Sequence, residues 1–259
     1  MKLNLVIDGE PFIRFTDDVF FRLCLQLWDV DGDGGITVKE GNNKVVIYNS
    51  PFRGNTDIVD ATTFKFLNWE AYNIAGNALF MDCTNLQSVS VRDNTNFTGN
   101  MFNNCTSLKN VELPVTIVEP DSEIGGVFKK CTSLKAVELP QNKRVYGNGF
   151  FQESGIEILR LPDAVITIKS YLCFNCQALR EVYIGKNVTS IGQQCFNLCK
   201  SMKWFSIAAK TPPALEHKNS FDNTTFPIYV PVGSGDAYKT ATNWSAWASR
   251  IQEYDFNNQ

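Results

Sequence analysis

FNNCTSLKNVEL, residues 102–113, decides how this chain folds. An aromatic residue, Phe102, is followed after three positions by Cys105 and after three more by Leu108. An apolar-x-apolar strand signal, Val111 and Leu113, completes the phrase. It returns as FMDCTNLQSVSV (80–91), FKKCTSLKAVEL (128–139), FQESGIEILRL (151–161), CFNCQALREVYI (173–184) and FNLCKSMKWFSI (196–207). Anchored on Cys83, Cys105, Cys131, Ser154, Cys176 and Cys199, the six copies stand 22, 26, 23, 22 and 23 residues apart. A unit of that size cannot enclose a core alone. Stacked, each copy buries its apolar face against its neighbours, so the repeat predicts a solenoid.

The chain has eight cysteines, and five of them occupy this one repeat column. A small, weakly polar thiol packs well in the turn before a strand and can donate to backbone carbonyls, so buried free thiols are expected. Adjacent coils stack at about 4.8 Å, a separation that also permits disulfides. Cys173 and Cys176 form a CxxC, but Cys173 stands where other copies carry Phe, and no second CxxC or His pair could complete a zinc shell. Both read as core positions.

Pro114, Pro140 and Pro162 follow three of the strands and stop them. The longest step, Cys105 to Cys131, holds an insertion around PDSEIGG (120–126), placed on a loop. FPIYVP (226–231) starts a seventh coil, with Tyr229 22 residues after Ile207. Residues 231–259 read as a C-terminal cap of one or two short helices, with Tyr238, Trp244 and Trp247 closing the core. An aromatic sugar platform is the sharper alternative for these rings.

Upstream, LNLVID (3–8) alternates like a strand. Asp17 to Trp28 reads as a helix with Phe20, Leu23, Cys24, Leu27 and Trp28 on one face, capped by Thr16 or Asp17. KVVIYN (44–49) reads as a short strand. In the transition that follows, Phe64, Phe66, Leu67, Trp69 and Tyr72 are expected to cover the open end of the stack. The organisation is therefore residues 1–60 as an N-terminal α+β segment, 61–73 as a cap at the solenoid's entrance, 74–230 as the solenoid and 231–259 as the C-terminal cap.

Of the 259 residues, 44% are hydrophobic and 20% charged, with a net charge of −3, so nothing points to nucleic acid. No apolar run approaches a membrane span. Asp8, Gly9 and Glu10 interrupt MKLNLVIDGEPFIRF too early for a signal peptide. That leaves an intracellular protein, a trimmed signal or export by another route such as a virus particle.

Phrases such as FNNCTSLKNVELP and YIGKNVTSIGQQCFNLCKSM resemble the BspA-like (Treponema pallidum-type) leucine-rich repeats, over about residues 74–230. The tail PIYVPVGSGDAYKTATNWSAW is similar to the ending of such proteins from gut Bacteroidetes. The resemblance implies a β-rich α/β fold: a right-handed leucine-rich-repeat solenoid with a parallel sheet on one side. It also implies non-enzymatic adhesion or binding to a protein or glycan at a cell surface. Ser154 for Cys, Cys173 for Phe and two coils one residue short depart from the pattern. The N-terminal segment also resembles proteins carried by phages of gut Bacteroidetes, which makes a virion component (tail, fibre or head decoration) the competing role.

The strongest chemical motif lies outside the repeat. DVDGDGGITVKE, Asp29 to Glu40, fits a twelve-residue EF-hand loop. Asp29, Asp31 and Asp33 supply carboxylates at positions 1, 3 and 5, and Gly34 permits the sharp turn. Gly35 would offer its carbonyl, Thr37 would bind directly or through water, and Glu40 would be bidentate. Ile36 pins the loop. Gly41-Asn42-Asn43 should end the exit helix almost at once, and no partner loop is visible, so one structural calcium ion is the expected cofactor. The alternative is a solvated acidic turn.

On the strands, residues flanking the central apolar position point outward. One column is Ser88, Asn110, Ala136, Ile158, Glu181 and Trp204. The other is Ser90, Glu112, Glu138, Arg160, Tyr183 and Ser206. Ile158, Arg160, Tyr183 and Trp204 form a patch of hot-spot composition near the C-terminal end, the candidate partner surface unless the insertion or cap folds over it. Enzyme readings find little support: the single histidine, His217, lies in a loop after Pro-Pro, and no GxSxG or P-loop occurs.

Overall fold

The computed structural model describes residues 6, 7, 10–72, 78–93 and 95–256. Most of the expected strand 3–8, the solenoid's expected start at 74–77 and its entrance residue 73 lie outside them. Strand β1 (Val6–Ile7) pairs antiparallel with β2 (Glu10–Pro11). Helix α1 (Asp18–Trp28) follows, capped by Asp17, whose carboxylate accepts from the Val19 and Phe20 N–H groups at 2.9 and 2.8 Å. Its apolar face buries Phe20, Cys24 and Trp28 completely, with Leu23 and Leu27 at the margin. A single-turn helix, α2 (Val38–Asn42), gives way to β3 (Val45–Ile47), β4 (Asp60–Ala61), a 3-10 turn (Thr62–Phe66) and β5 (Trp69–Ala71).

The coils then contribute β6 (Ser88–Ser90), β7 (Asn110–Glu112), β8 (Val145–Tyr146), β9 (Ile158–Arg160), β10 (Thr167–Ile168), β11 (Glu181–Ile184), β12 (Ser190–Ile191), β13 (Trp204–Ile207), β14 (Ala214–Leu215) and β15 (Ile228–Pro231). Helix α3 (Gly235–Thr240), a 3-10 helix (Trp244–Arg250) and β16 (Ile251–Tyr254) end the chain. Where coils meet in ladders the ladders are parallel, because every turn of a solenoid runs the same way. The principal sheet falls into two blocks, β4-β6-β7 and β9-β11-β13-β15-β16; a second set of ladders joins β3-β5 and β8-β10-β12-β14. Registers step by one repeat, Ser88 opposite Asn110 and Ile158 opposite Glu181 opposite Trp204.

The cysteine column does what its chemistry suggests. All eight cysteines are unpaired and buried. Cys83, Cys105, Cys131, Cys176 and Cys199 each reach a carbonyl of the preceding coil, those of Phe52, Phe80, Phe102, Phe151 and Cys173, at 2.9 to 3.0 Å. Burial pushes the thiols of Cys83, Cys105, Cys131 and Cys199 up, Cys83 to about 12 and Cys105 well above the usual range. At Cys176 burial is outweighed by hydrogen bonds from Cys173 and Ser154, which hold the thiol below its ordinary value. Ser154 instead contacts Cys176 at 3.6 Å. The residue before each anchor (Asp82, Asn104, Lys130, Glu153, Asn175, Leu198) is left-handed, with φ between 58° and 64°. That bend turns the chain inward so that the anchor's side chain meets the coil before it.

The aromatic column stacks as a pile. Phe52–Phe80, Phe80–Phe102, Phe102–Phe128 and Phe128–Phe151 lie 5.0 to 5.7 Å apart with interplanar angles of 11° to 18°. The pile stops where Cys173 replaces Phe and resumes with Phe196–Phe221 at 5.9 Å and 7°. Phe52 belongs to a coil the repeat count missed. Phe52, Asn55, Ile58 and Ala61 keep the spacing, Gly54 takes the left-handed turn, and β4 joins β6. The stack therefore reaches back beyond residue 74.

Some expectations need correction. Phe64, Leu67 and Trp69 are buried, but Phe66 and Tyr72 are 52% and 71% exposed and stand outside the core, Tyr72 against the Tyr48 ring at 4.9 Å. The third copy forms no strand at Ala136–Leu139. Tyr229 pairs opposite Ser206, not Ile207, so it points outward. In the cap, Tyr238 and Trp244 are fully buried and Trp247 is partly buried, its indole N–H donating to the Lys218 carbonyl at 3.0 Å. After these turns the chain returns to the principal sheet as β16, where helix alone was expected.

Candidate functional site

The outer face of the principal sheet carries a continuous ladder. The Arg160 guanidinium lies 3.8 Å over the Tyr183 ring. Tyr183 is 6.4 Å from Trp204, which stacks on Tyr229 at 4.1 Å, and Tyr254 of β16 meets Trp204 and Tyr229 edge-on at 5.2 and 5.6 Å. The Tyr183 hydroxyl donates to Glu181 at 3.0 Å, and Glu181 reaches Arg160 at 4.0 Å. The sequence patch is thus brought together, and β15 and β16 extend it. Its exposure is uneven. Arg160 and Ile158 are open, whereas Tyr183 and Trp204 are half-buried and the Trp204 indole N–H is buried without a partner among the described residues. Tyr254 of the cap does cover part of Trp204. Tyr229 was hidden from sequence reasoning by the one-residue register slip, and Tyr254 by the unforeseen strand.

The ladder's geometry bears on ligand class. A sugar stacks on a free aromatic face. Here Tyr229 occupies one face of Trp204, and Arg160 lies across Tyr183. What the column presents is ring edges and a cation, which suits protein contacts.

At the junction of the two sheet blocks lies a groove of about 980 Å³, whose walls include Val89, Val111, Val137, Leu139 and Ile158. Arg160 and Lys109 also line it.

The acidic loop is at the far end of the molecule. One carboxylate oxygen from each of Asp29, Asp31 and Glu40 lies within 4.8 Å of the others. Asp33 is outside this group, its Oδ1 accepting from the Gly35 N–H at 2.8 Å. Gly34 adopts φ 87°, the turn expected at its position. Gly35 lies under Phe12, where a Cβ would stand 2.2 Å from the ring. Thr37 caps α2 through a capping box, donating to Glu40 at 2.9 Å and accepting from its N–H at 3.2 Å. Burial raises the Glu40 carboxyl, but N–H donors from Thr37 and Val30 outweigh it and hold the group below its ordinary value, so it is ionised. Ile36 is buried, and its carbonyl accepts from the Ile13 N–H at 2.8 Å. The strand pairing that a second loop would supply comes instead from Phe12 and Ile13. All-oxygen donors, three converging carboxylates and a sharp glycine turn fit a hard divalent cation.

His217 is a structural cap: its Nδ1 accepts from the Asn219 N–H at 3.1 Å. Among the described residues no helix is long and apolar enough to cross a membrane.

Parallel ladders at one-coil intervals, a cysteine column bonded from coil to coil and a laterally open sheet face define a leucine-rich-repeat solenoid. The chain belongs to the BspA type leucine-rich repeat family, whose pattern matches six copies over residues 46–123, 73–203 and 123–225. A leucine-rich repeat protein of Treponema pallidum is similar at 17% identity and TM-score 0.43, covering 72% of this chain and 79% of its own. One from Bacteroides ovatus is similar at 14% identity and TM-score 0.30, covering 81% and 87%. No curated protein matches the chain.

Proposed function

We propose that this chain is a non-enzymatic binding module that engages a protein on a cell or particle surface through the outer face of its principal sheet. A structural calcium ion in the Asp29–Glu40 loop steadies its N-terminal end. The observation that carries the reading is the ladder Arg160–Tyr183–Trp204–Tyr229–Tyr254. Trp, Tyr and Arg concentrate binding energy where they are packed and partly desolvated, and here the solenoid fixes their rotamers in advance. A glycan is the weaker occupant because a face of Trp204 and a face of Tyr183 are already taken. Family membership supports protein binding and a surface or secreted location. Calcium would be held by Asp29, Asp31 and Glu40, with Asp33, Gly35 and Thr37 completing the shell, and it supplies charge neutralisation, not chemistry on a substrate.

The test is binding of the purified chain to host-matrix and bacterial-surface protein fractions, with and without calcium. Trp204→Ala and Tyr183→Ala should each weaken binding by about 30-fold, as expected of hot-spot truncation at about 2 kcal/mol, while a glycan array stays blank. Unchanged binding by both variants would refute the reading.

A further inference from the structure

The principal sheet is not continuous. Among the described residues, strand β7 pairs only with β6, and β9 only with β11. Between them runs the third coil, whose Val137-Glu138-Leu139 repeats the Val111-Glu112-Leu113 of β7 yet forms no ladder. The Glu157 N–H reaches the Lys135 carbonyl at 2.9 Å, and the Gln141 N–H reaches Val115 at 2.8 Å. Between those two ties, the main-chain N–H and C=O groups of Ala136, Val137 and Glu138 make no hydrogen bond among the described residues. On the turn side the same coils stay stitched, with Phe102 N–H to Val127 at 2.9 Å and Asn104 N–H to Lys129 at 2.8 Å. The stack therefore opens like a wedge toward the sheet face, and the groove occupies the opening.

The chemistry of this groove is specific. Its floor offers unpaired amide and carbonyl groups, whose natural complement is another extended main chain. Its walls are apolar at Val111, Val137, Leu139 and Ile158. Lys109 has no ion pair among the described residues, while Glu112 is already held by Lys65 at 2.9 Å. Arg160 is pre-organised: stacked flat on Tyr183, it has a single carboxylate neighbour at the 4.0 Å limit, and its side chain is 62% exposed. A guanidinium so fixed presents its donor fork to an incoming carboxylate.

We infer that this groove binds an extended segment of a partner protein, through main-chain pairing with Ala136–Glu138, a carboxylate of the segment on Arg160 and alternate apolar side chains against Val137 and Ile158. The inference rests on the binding-module reading and shares Arg160, held by Tyr183, with the aromatic ladder, but it needs neither Trp204 nor Tyr229. It gives the module a peptide specificity: acidic and apolar, without bulk on the strand facing the floor.

A random octapeptide display library panned against the immobilised full chain tests this, followed by titration of the enriched peptides into 15N-labelled protein. The expected consensus carries Asp or Glu with apolar residues at alternate positions. Binding should shift the Val137 and Glu138 amides and slow their hydrogen exchange at least tenfold. Arg160→Ala should weaken it about tenfold, and N-methylation of alternate peptide amides should abolish it. No enrichment above background, binding that leaves those amides unmoved, or full affinity with Arg160→Ala each overturns the inference. If the peptide arm fails while Trp204→Ala still loses the surface partner, the proposed function stands without the groove.

Discussion

Lys143 places a lysine ammonium inside the stack. It is fully buried, its Nζ donates to the Ser122 carbonyl at 3.1 Å, and its other neighbours are the Phe97 and Tyr146 rings at 6.0 and 5.7 Å. Burial pulls its pKa from 10.5 down to about 8, with Asp121 opposing weakly. Between those values the unfolded chain keeps a proton that the folded chain has released, so stability rises with pH across that window. Below it, the buried ammonium costs stability. Melting curves from pH 7 to 10.5 should show the wild type gaining on Lys143→Met as pH rises, with the variant more stable at pH 7; parallel curves would refute this. Nothing in the sequence marked Lys143, since a lysine beside an insertion reads as solvated surface. The cysteine column was legible because one small residue recurred at one phase. The left-handed bend before it was not: Lys130, Glu153 and Leu198 do not advertise positive φ as glycine does.

At the scale of elements, Asp17 joins two of them. One oxygen caps α1, while the other accepts from the Val59 and Asp60 N–H groups at 2.7 and 3.0 Å, covering the free edge of β4. Burial raises this carboxyl, yet the four donors prevail and hold it below its ordinary value. Its contribution is therefore complete above the unfolded pKa, near 4, and fades as pH falls through the lower folded value. Asp17→Ala should cost about 1–2 kcal/mol in urea unfolding and speed hydrogen exchange at Val59 and Asp60, whereas an unchanged midpoint would count against the double role. Helix α1 was readable because its apolar residues fall on one face. The coil at 52–61 was overlooked because Asn55 and Ile58 stand where Cys and Leu were sought, although the spacing was intact. The split at Ala136–Glu138 had no sequence signal beyond the long step before it. The acidic loop was legible by residue type, and three of its carboxylates do converge, but the docking of Phe12 on Gly35 required the fold.

For the whole molecule, the loop matters because both of its helices are tied to the stack. The Trp28 indole donates to the Asn68 carbonyl at 3.2 Å, and the Asn68 N–H donates to the Gly41 carbonyl at 2.7 Å. A cation that binds only the folded loop stabilises what is docked to it, by about 2.7 kcal/mol at a hundredfold excess over Kd. Calorimetry with calcium and with chelator should show a higher Tm in calcium for the wild type, but not for Asp29→Ala or Glu40→Gln. Equal wild-type Tm values in millimolar calcium and in chelator would rule the site out.

The interrupted pile of phenylalanine rings has a mechanical consequence. The sheet is parted at the third coil, and the rings are parted at the fifth, where Cys173 stands. The two joints are staggered, as in brickwork, so no single cross-section is weak in both the hydrogen-bonded wall and the aromatic pillar. A rod built this way can flex at its sheet face to admit a guest while the pillar behind carries the load through that level unbroken.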